Sequence, residues 1–199
     1  MSHTTTMNHL TRDDLYSLEQ YATRRKAFRA QVLEHKKLRT LHLGPHMTLI
    51  FEDRLTVQYQ IQEMLRIERV FEAEGIEDEL AAYNPLIPDG HNLKATCLME
   101  YAEREHRARE LARLRGIEHR IYVEVAGHGR SLAIADEDLD RSDEHKTSAV
   151  HFLRFEFNAA QIEAIRSGAA LTLGVDDERY GHALRITAAS AAALAKDFG

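Results

Sequence analysis

Read for the spacing of its apolar residues, the chain opens with about ten polar positions and then turns periodic at Thr11. Leu15, Leu18, Ala22, Phe28 and Val32 keep helical spacing behind a capping-box-like T-x-x-D at Thr11 and Asp14, which predicts a long helix running to about Leu38. The segment TLHLGPHMTLIFE then alternates apolar and polar residues on either side of Gly44 and Pro45, a pair that interrupts or bends a strand ladder. A second helical region follows, with Val57, Ile61, Met64, Leu65 and Phe71 on one face and an expected break at Gly75. NPLIPDGHN reads as a loop, LKATCLMEY as a strand, EREHRARELARLRG as a helix ended by Gly116, and HRIYVEVAGHGRSLAIAD as a hairpin turning at GHG. SAVHFLRFEF is the most strand-like run in the chain, followed by a short helix capped by Asn158, a strand at LTLGVDD and an Ala-rich closing helix from Thr187 to Asp197.

Strands joined by hairpins, with helices in irregular order, predict an α+β fold: a mostly antiparallel sheet with the long N-terminal helix and the second helical region packed on one face. The expected organisation is a disordered tail over residues 1–10 and a single domain over 11–199.

Charge changes this picture in one place. Net charge is −6, yet Arg24, Arg25, Lys26, Arg29, Lys36, Lys37 and Arg39 face only Glu34, so a +6 helix rides on a −12 remainder. Carboxylates crowd Glu72–Glu79 and Asp136–Glu144. This polarity suits a homodimer in which opposite patches meet, and it disfavours nucleic acid as a partner, leaving RNA or an acidic partner as the weaker use of the basic helix. No run reaches the length of a membrane span and the N-terminus lacks a secretion signal, so a cytoplasmic protein is expected. The one cysteine, Cys97, sits in a strand-like run and reads as an inert core thiol.

Candidate chemistry comes from polar residues that break the patterns. His151 shares parity with Ala149, Leu153, Phe155 and Phe157, while Arg154 and Glu156 lie on the opposite face of the same strand. Glu68 falls on the apolar stripe of the second helical region, with Glu63 and Arg66 beside it, and Arg25 and His35 interrupt the first helix likewise. His151, Arg154 and Glu68 are therefore expected to be buried and hydrogen-bonded, either as ligand-binding groups or as satisfied core pairs. His42, His46 and Glu52 share one strand face and carry donors suited to a divalent transition metal, although a solvated strand edge gives the same pattern. Asp89 and His91 in PDGHN, Asp136 and Asp138 in the acidic turn, and Lys146 gather acids, bases and cations at element ends. A single site drawing on Glu63, Arg66, Asp89, His91, Asp136, Asp138 and Lys146 is the expectation for catalysis; Glu68 or His151 would then serve as base, and Arg66 or Arg154 as clamp, in an enzyme for a small anionic metabolite. No H-E-x-x-H, C-x-x-C, P-loop, G-x-G-x-x-G or G-x-S-x-G pattern occurs.

Over HKKLRTLHLGPHMTLIFEDRLTVQYQIQEMLRIERVFE, ELAAYNPLIPDGHNLKAT, ADEDLDR and KTSAVHFLRFEF, the chain resembles the bacterial family catalogued as domain of unknown function 3501. The resemblance implies a binding or accessory protein of cytosolic redox or peroxide-stress metabolism, with rubrerythrin-like proteins and iron–sulfur oxidoreductases as partners. It assigns no residue a role.

Overall fold

The computed structural model describes residues 9–143 and 145–199, and the chain divides into two compact units. One comprises the residues up to Lys37 together with Glu52–Asp89; the other comprises Leu38–Phe51 and Gly90–Gly199.

The first unit is helical: α1 (Leu18–Lys37), α2 (Arg54–Glu68) and α3 (Ala73–Tyr83). The long helix starts later than the Thr11 motif predicts. Thr11 and Asp14 do form a capping box, but on a single 3-10 turn over Arg12–Asp14. The chain then straightens, because the Tyr16 amide donates to Gln62 Oε1 at 2.6 Å, and α1 begins behind a second reciprocal cap between Ser17 and Gln20. Val57, Ile61 and Leu65 of α2 are buried with Leu10, Leu80 and Ile87, so part of the expected tail belongs to the core. Asn84 pins it there by bonding both the amide and the carbonyl of Leu10. The remainder of that tail, residues 1–8, lies outside the described residues.

The second helical region breaks at Arg69 rather than Gly75. Arg69 adopts the left-handed conformation (φ 55°) as the C-cap of α2, whereas Gly75 lies inside α3, where a Cβ would stand 2.6 Å from Val70 Cγ1. The periodicity that placed Glu68 and Phe71 on the buried stripe assumes a helix that continues past residue 68. Because it stops there, Glu68 is exposed and Phe71 is 71% exposed.

The second unit is an eight-stranded, mostly antiparallel sheet in the order β1-β2-β3-β6-β5-β4-β7-β8. Its strands are β1 (Thr40–Leu43), β2 (Met47–Glu52), β3 (Asn92–Met99), β4 (Ile121–Val125), β5 (Gly129–Ala135), β6 (Val150–Glu156), β7 (Leu171–Val175) and β8 (Ala183–Arg185). Three helices belong to this unit, α4 (Arg104–Arg113), α5 (Ala159–Arg166) and α6 (Ala188–Ala195). The fold is α+β, as the pattern predicts.

The Gly44–Pro45 interruption is the turn of a β1–β2 hairpin with Leu43 opposite Met47. The Tyr180 hydroxyl holds this turn, donating to the Leu43 carbonyl at 2.7 Å and accepting from the His46 amide at 3.0 Å. The end strands β1 and β8 thereby approach one another. β6 lies between β3 and β5 and buries His151, Leu153, Phe155 and Phe157 on one face. No helix among the described residues is long and apolar enough to cross a membrane.

Candidate functional site

Asp136 ends β5 in the left-handed conformation (φ 52°), which an aspartate tolerates better than most residues. Its amide donates to the Phe152 carbonyl at 2.9 Å, and its Oδ1 accepts the Phe152 amide at 2.9 Å, so the side chain stands in for a ladder carbonyl as the chain leaves the sheet. Oδ2 then reaches Nδ1 of His151 at 2.6 Å. His151 is opposite Cys97 in the β3–β6 register and has no exposed surface.

On the other side of the ring, Nε2 lies 2.8 Å from Thr147 Oγ1 and 3.0 Å from the Ser148 carbonyl. Thr147 donates in turn to Glu118 Oε2 at 2.9 Å, and Ser142 donates to Glu118 Oε1 at 2.5 Å. Glu118 sits on the 3-10 turn Ile117–Arg120 between α4 and β4, and the Thr147 amide is tied to the Leu111 carbonyl of α4 at 3.0 Å. The loop after β5 and the turn after α4 therefore meet over β6. Because the carboxylate of Asp136 and the carbonyl of Ser148 only accept, this bond pattern asks for a proton on both ring nitrogens.

Burial, the largest influence on Glu118, raises its pKa, but bonds from Ser142, its own amide and Thr147, with the charge of His151, outweigh it and hold the carboxyl below its ordinary range. Burial first, then the charges of Asp136 and Glu118, push the Cys97 thiol up to about 12. Arg141 reaches Asp136 at 3.3 Å, binds Asp138 through two nitrogens and lies over the Phe152 ring, closing the cluster from the solvent side. Every buried side-chain polar atom among the described residues has a hydrogen-bond partner.

Among the described residues, one group of at least three His, Cys, Asp or Glu side chains has ligand atoms all within 4.8 Å of one another: Glu118, Asp136 and His151. Two carboxylates and an imidazole, with hydroxyls and a carbonyl alongside, form a donor set suited to a divalent transition metal. Ligands on one such ion, at about 2.0–2.2 Å from it, lie about 4 Å apart or less.

The remaining sequence-derived candidates have other partners. Glu63 accepts Arg25 Nε at 2.7 Å and Tyr21 Oη at 2.8 Å and pairs with Arg66 at 3.1 Å; the Arg25 bond above all, with Arg66 and Tyr21, lowers its pKa to about 2 against the opposing effect of burial. It is a saturated ion-pair centre on the α1–α2 seam, where His35 also pairs with the helix cap Asp53 at 2.5 Å. Glu63, Arg66, Glu68 and Asp89 belong to the first unit, whereas His91, Asp136, Asp138, Lys146, His151 and Arg154 belong to the second.

Within the second unit only Asp136 and His151 enter the cluster. Asp138 pairs with Arg141, Lys146 is exposed, and the His91 carbonyl accepts the Phe157 amide. Arg154 is partly exposed rather than buried, bound to Glu137 at 2.8 Å and to Glu156. The proposed metal set is not gathered on one face: His42 bonds Thr48 across the hairpin, His46 sits in the turn against the Glu100 carbonyl, and buried Glu52 accepts from Thr56. Glu118, Ser142 and Thr147 are the members that pattern reading misses. The only trace of Thr147 is the KTS turn before the strand; Glu118 stands in a polar GIEHR stretch with no periodicity to mark it.

The family model described as a protein of unknown function, DUF3501, matches residues 9–198. The chain belongs to DUF3501. A solved relative of this DUF3501 protein is a novel protein of unknown function from Burkholderia pseudomallei K96243, 49% identical, with a TM-score of 0.91 over 96% of this chain and 99% of that one. No curated protein matches the DUF3501 chain.

Proposed function

We propose that this DUF3501 protein is a binding or accessory component of redox or peroxide-stress metabolism that holds a divalent transition metal at Glu118, Asp136 and His151. The observation that carries the metal assignment is the convergence of three ligand atoms within 4.8 Å in a closed interior. The redox context and its rubrerythrin-like or iron–sulfur partners come from the family resemblance alone. Loading the site puts the cation on one ring nitrogen of His151 in place of a proton there, so uptake releases that proton. The +6 stretch on and just after α1, within a chain of net charge −6, supports a homodimer as the working state, with affinity that falls as salt rises.

Metal analysis of protein purified without a histidine tag tests this reading. About one equivalent of a transition metal is expected, with a rise in melting temperature on reloading after chelation, and both are lost in Glu118→Gln and Asp136→Asn. A metal-free protein whose melting temperature ignores added transition metals overturns it. Sedimentation at low and high salt checks the dimer separately.

One observation favours an enzyme instead. Asp136, His151 and Thr147 lie in the order carboxylate, imidazole, hydroxyl, which becomes the arrangement by which a base activates an alcohol once Nε2 gives up its proton and the Thr147 hydroxyl turns from Glu118. Thr147 has no exposed surface, however, so a substrate reaches it only if the side chains covering it move aside. Turnover of a small anionic metabolite that disappears in Thr147→Val, with metal content unchanged, would establish this second reading.

A further inference from the structure

A separate cluster of two histidine rings and a tyrosine lies outside the buried centre, beside an open hollow. His46, in the β1–β2 turn, stacks on Tyr101 with ring centres 4.2 Å apart, and His106 of α4 meets Tyr101 edge-on at 5.1 Å and His46 at 6.0 Å. His46 and Tyr101, with Met99, Glu100, Ala102, Arg107 and Ala149, line an open hollow of about 660 Å³.

The tautomer of His46 is fixed by its partner. Nδ1 lies 2.9 Å from the Glu100 carbonyl, which can only accept, so Nδ1 carries a proton and Nε2 is the nitrogen left for a ligand. An imidazole that gives its other N–H to a backbone carbonyl is the usual arrangement of a metal-ligating histidine. The His46–His106 ring separation of 6.0 Å lies at the upper end of what one ion spans. With metal–nitrogen bonds of about 2.0–2.1 Å, two imidazoles on one ion have ring centres roughly 4.5–6 Å apart. Glu110 stands one turn beyond His106 on α4 and is bound to Arg113 at 2.6 Å.

We propose that His46 and His106 form a solvent-open site for a borderline transition cation such as Zn²⁺ or Cu²⁺, with water in the remaining positions. An imidazole ligates through an unprotonated nitrogen and Arg107 contributes a fixed positive charge at the rim, so the ion is held by nitrogen donation rather than by a negative field. Hard cations that depend on carboxylate oxygens, Mg²⁺ and Ca²⁺, gain little there. This assignment is independent of the Glu118–Asp136–His151 centre: either stands if the other fails.

The experiment is equilibrium dialysis of the full chain against ZnCl₂, with MgCl₂ as control, for the wild type, His46→Phe and His106→Gln. Phenylalanine keeps a ring on Tyr101 while removing both nitrogens, and His106 is only half-buried, so metal-free melting temperatures should stay near that of the wild type. The expected result is one zinc equivalent, beyond any held at the Glu118–Asp136–His151 centre, that weakens roughly tenfold or more in each variant, with no magnesium uptake. Zinc uptake identical in all three proteins overturns the proposal, and loss in His46→Phe alone removes His106 from it. Should His46→Phe fail to fold, unchanged zinc binding in His106→Gln still refutes the paired site.

Discussion

Glu63 shows how one residue can look functional in the sequence and prove structural in the fold. Its carboxyl falls from the ordinary 4.5 to about 2 because Arg25, then Arg66 and Tyr21, favour the ionised form. A carboxylate lowered in this way contributes stability that is complete above its unfolded value and is lost as the pH drops through the folded one. Unfolding free energy should therefore decline between about pH 4.5 and 2, and Glu63→Gln, at a cost of about 1–2 kcal/mol at neutral pH, should flatten that part of the profile in urea titrations. Cys97, buried and pushed up to about 12, should ignore thiol reagents in the native protein and react only on unfolding. Prompt labelling under native conditions would contradict that burial. Strand parity made His151 legible because its neighbours two positions away are apolar; Arg154, on the opposite face, proved only partly covered, since Glu137 and Glu156 satisfy it at the surface. Glu118 left no comparable sign, because its role depends on a turn that brings it to Thr147 across 29 residues of chain.

At the level of elements, turn chemistry was readable wherever glycine or a capping side chain marked it. The GHG hairpin between β4 and β5 and the Asn158 cap of α5 are where the sequence places them. The end of α2 was not readable, because it is made by an arginine at positive φ, for which sequence carries no marker. The short β8 was missed too, three residues being too few to show alternation. The β1–β2 turn offers a sharp test. Gly44 has φ 66°, and a Cβ there would stand 2.6 Å from the His182 ring and 2.8 Å from the Tyr180 hydroxyl. Gly44→Ala should destabilise by about 2 kcal/mol or more through backbone strain and this collision. Tyr180→Phe, which removes the bonds to Leu43 and His46 without changing shape, should cost about 1–3 kcal/mol. Chemical denaturation of both variants measures the difference, and a neutral Tyr180→Phe would show that the turn holds without its hydroxyl clamp.

For the whole molecule, the decisive fact is that neither unit is continuous in sequence. The β1–β2 hairpin of the second unit is inserted between α1 and α2 of the first. A fragment ending at Asp89 would keep that hairpin without the rest of its sheet, exposing Leu41, Leu43, Met47, Leu49 and Phe51, all buried in the intact chain. It should aggregate, and a fragment starting at Gly90, with β3 stripped of its neighbour β2, should expand or self-associate. Light scattering of the two fragments checks this, and a well-folded monomer from either would contradict the interleaved arrangement. The order of strands also sets a schedule for synthesis. At about 5–20 residues per second, some 3–10 s separate the emergence of Met99, which ends β3, from that of Val150, which begins β6. In that interval β3 waits on the ribosome with one edge unfilled while the β4–β5 hairpin closes on its own. β6 then arrives as the strand that joins β3 to the β4–β5 hairpin, before β7 and β8 extend the sheet from β4, and it carries the histidine around which the buried polar cluster assembles.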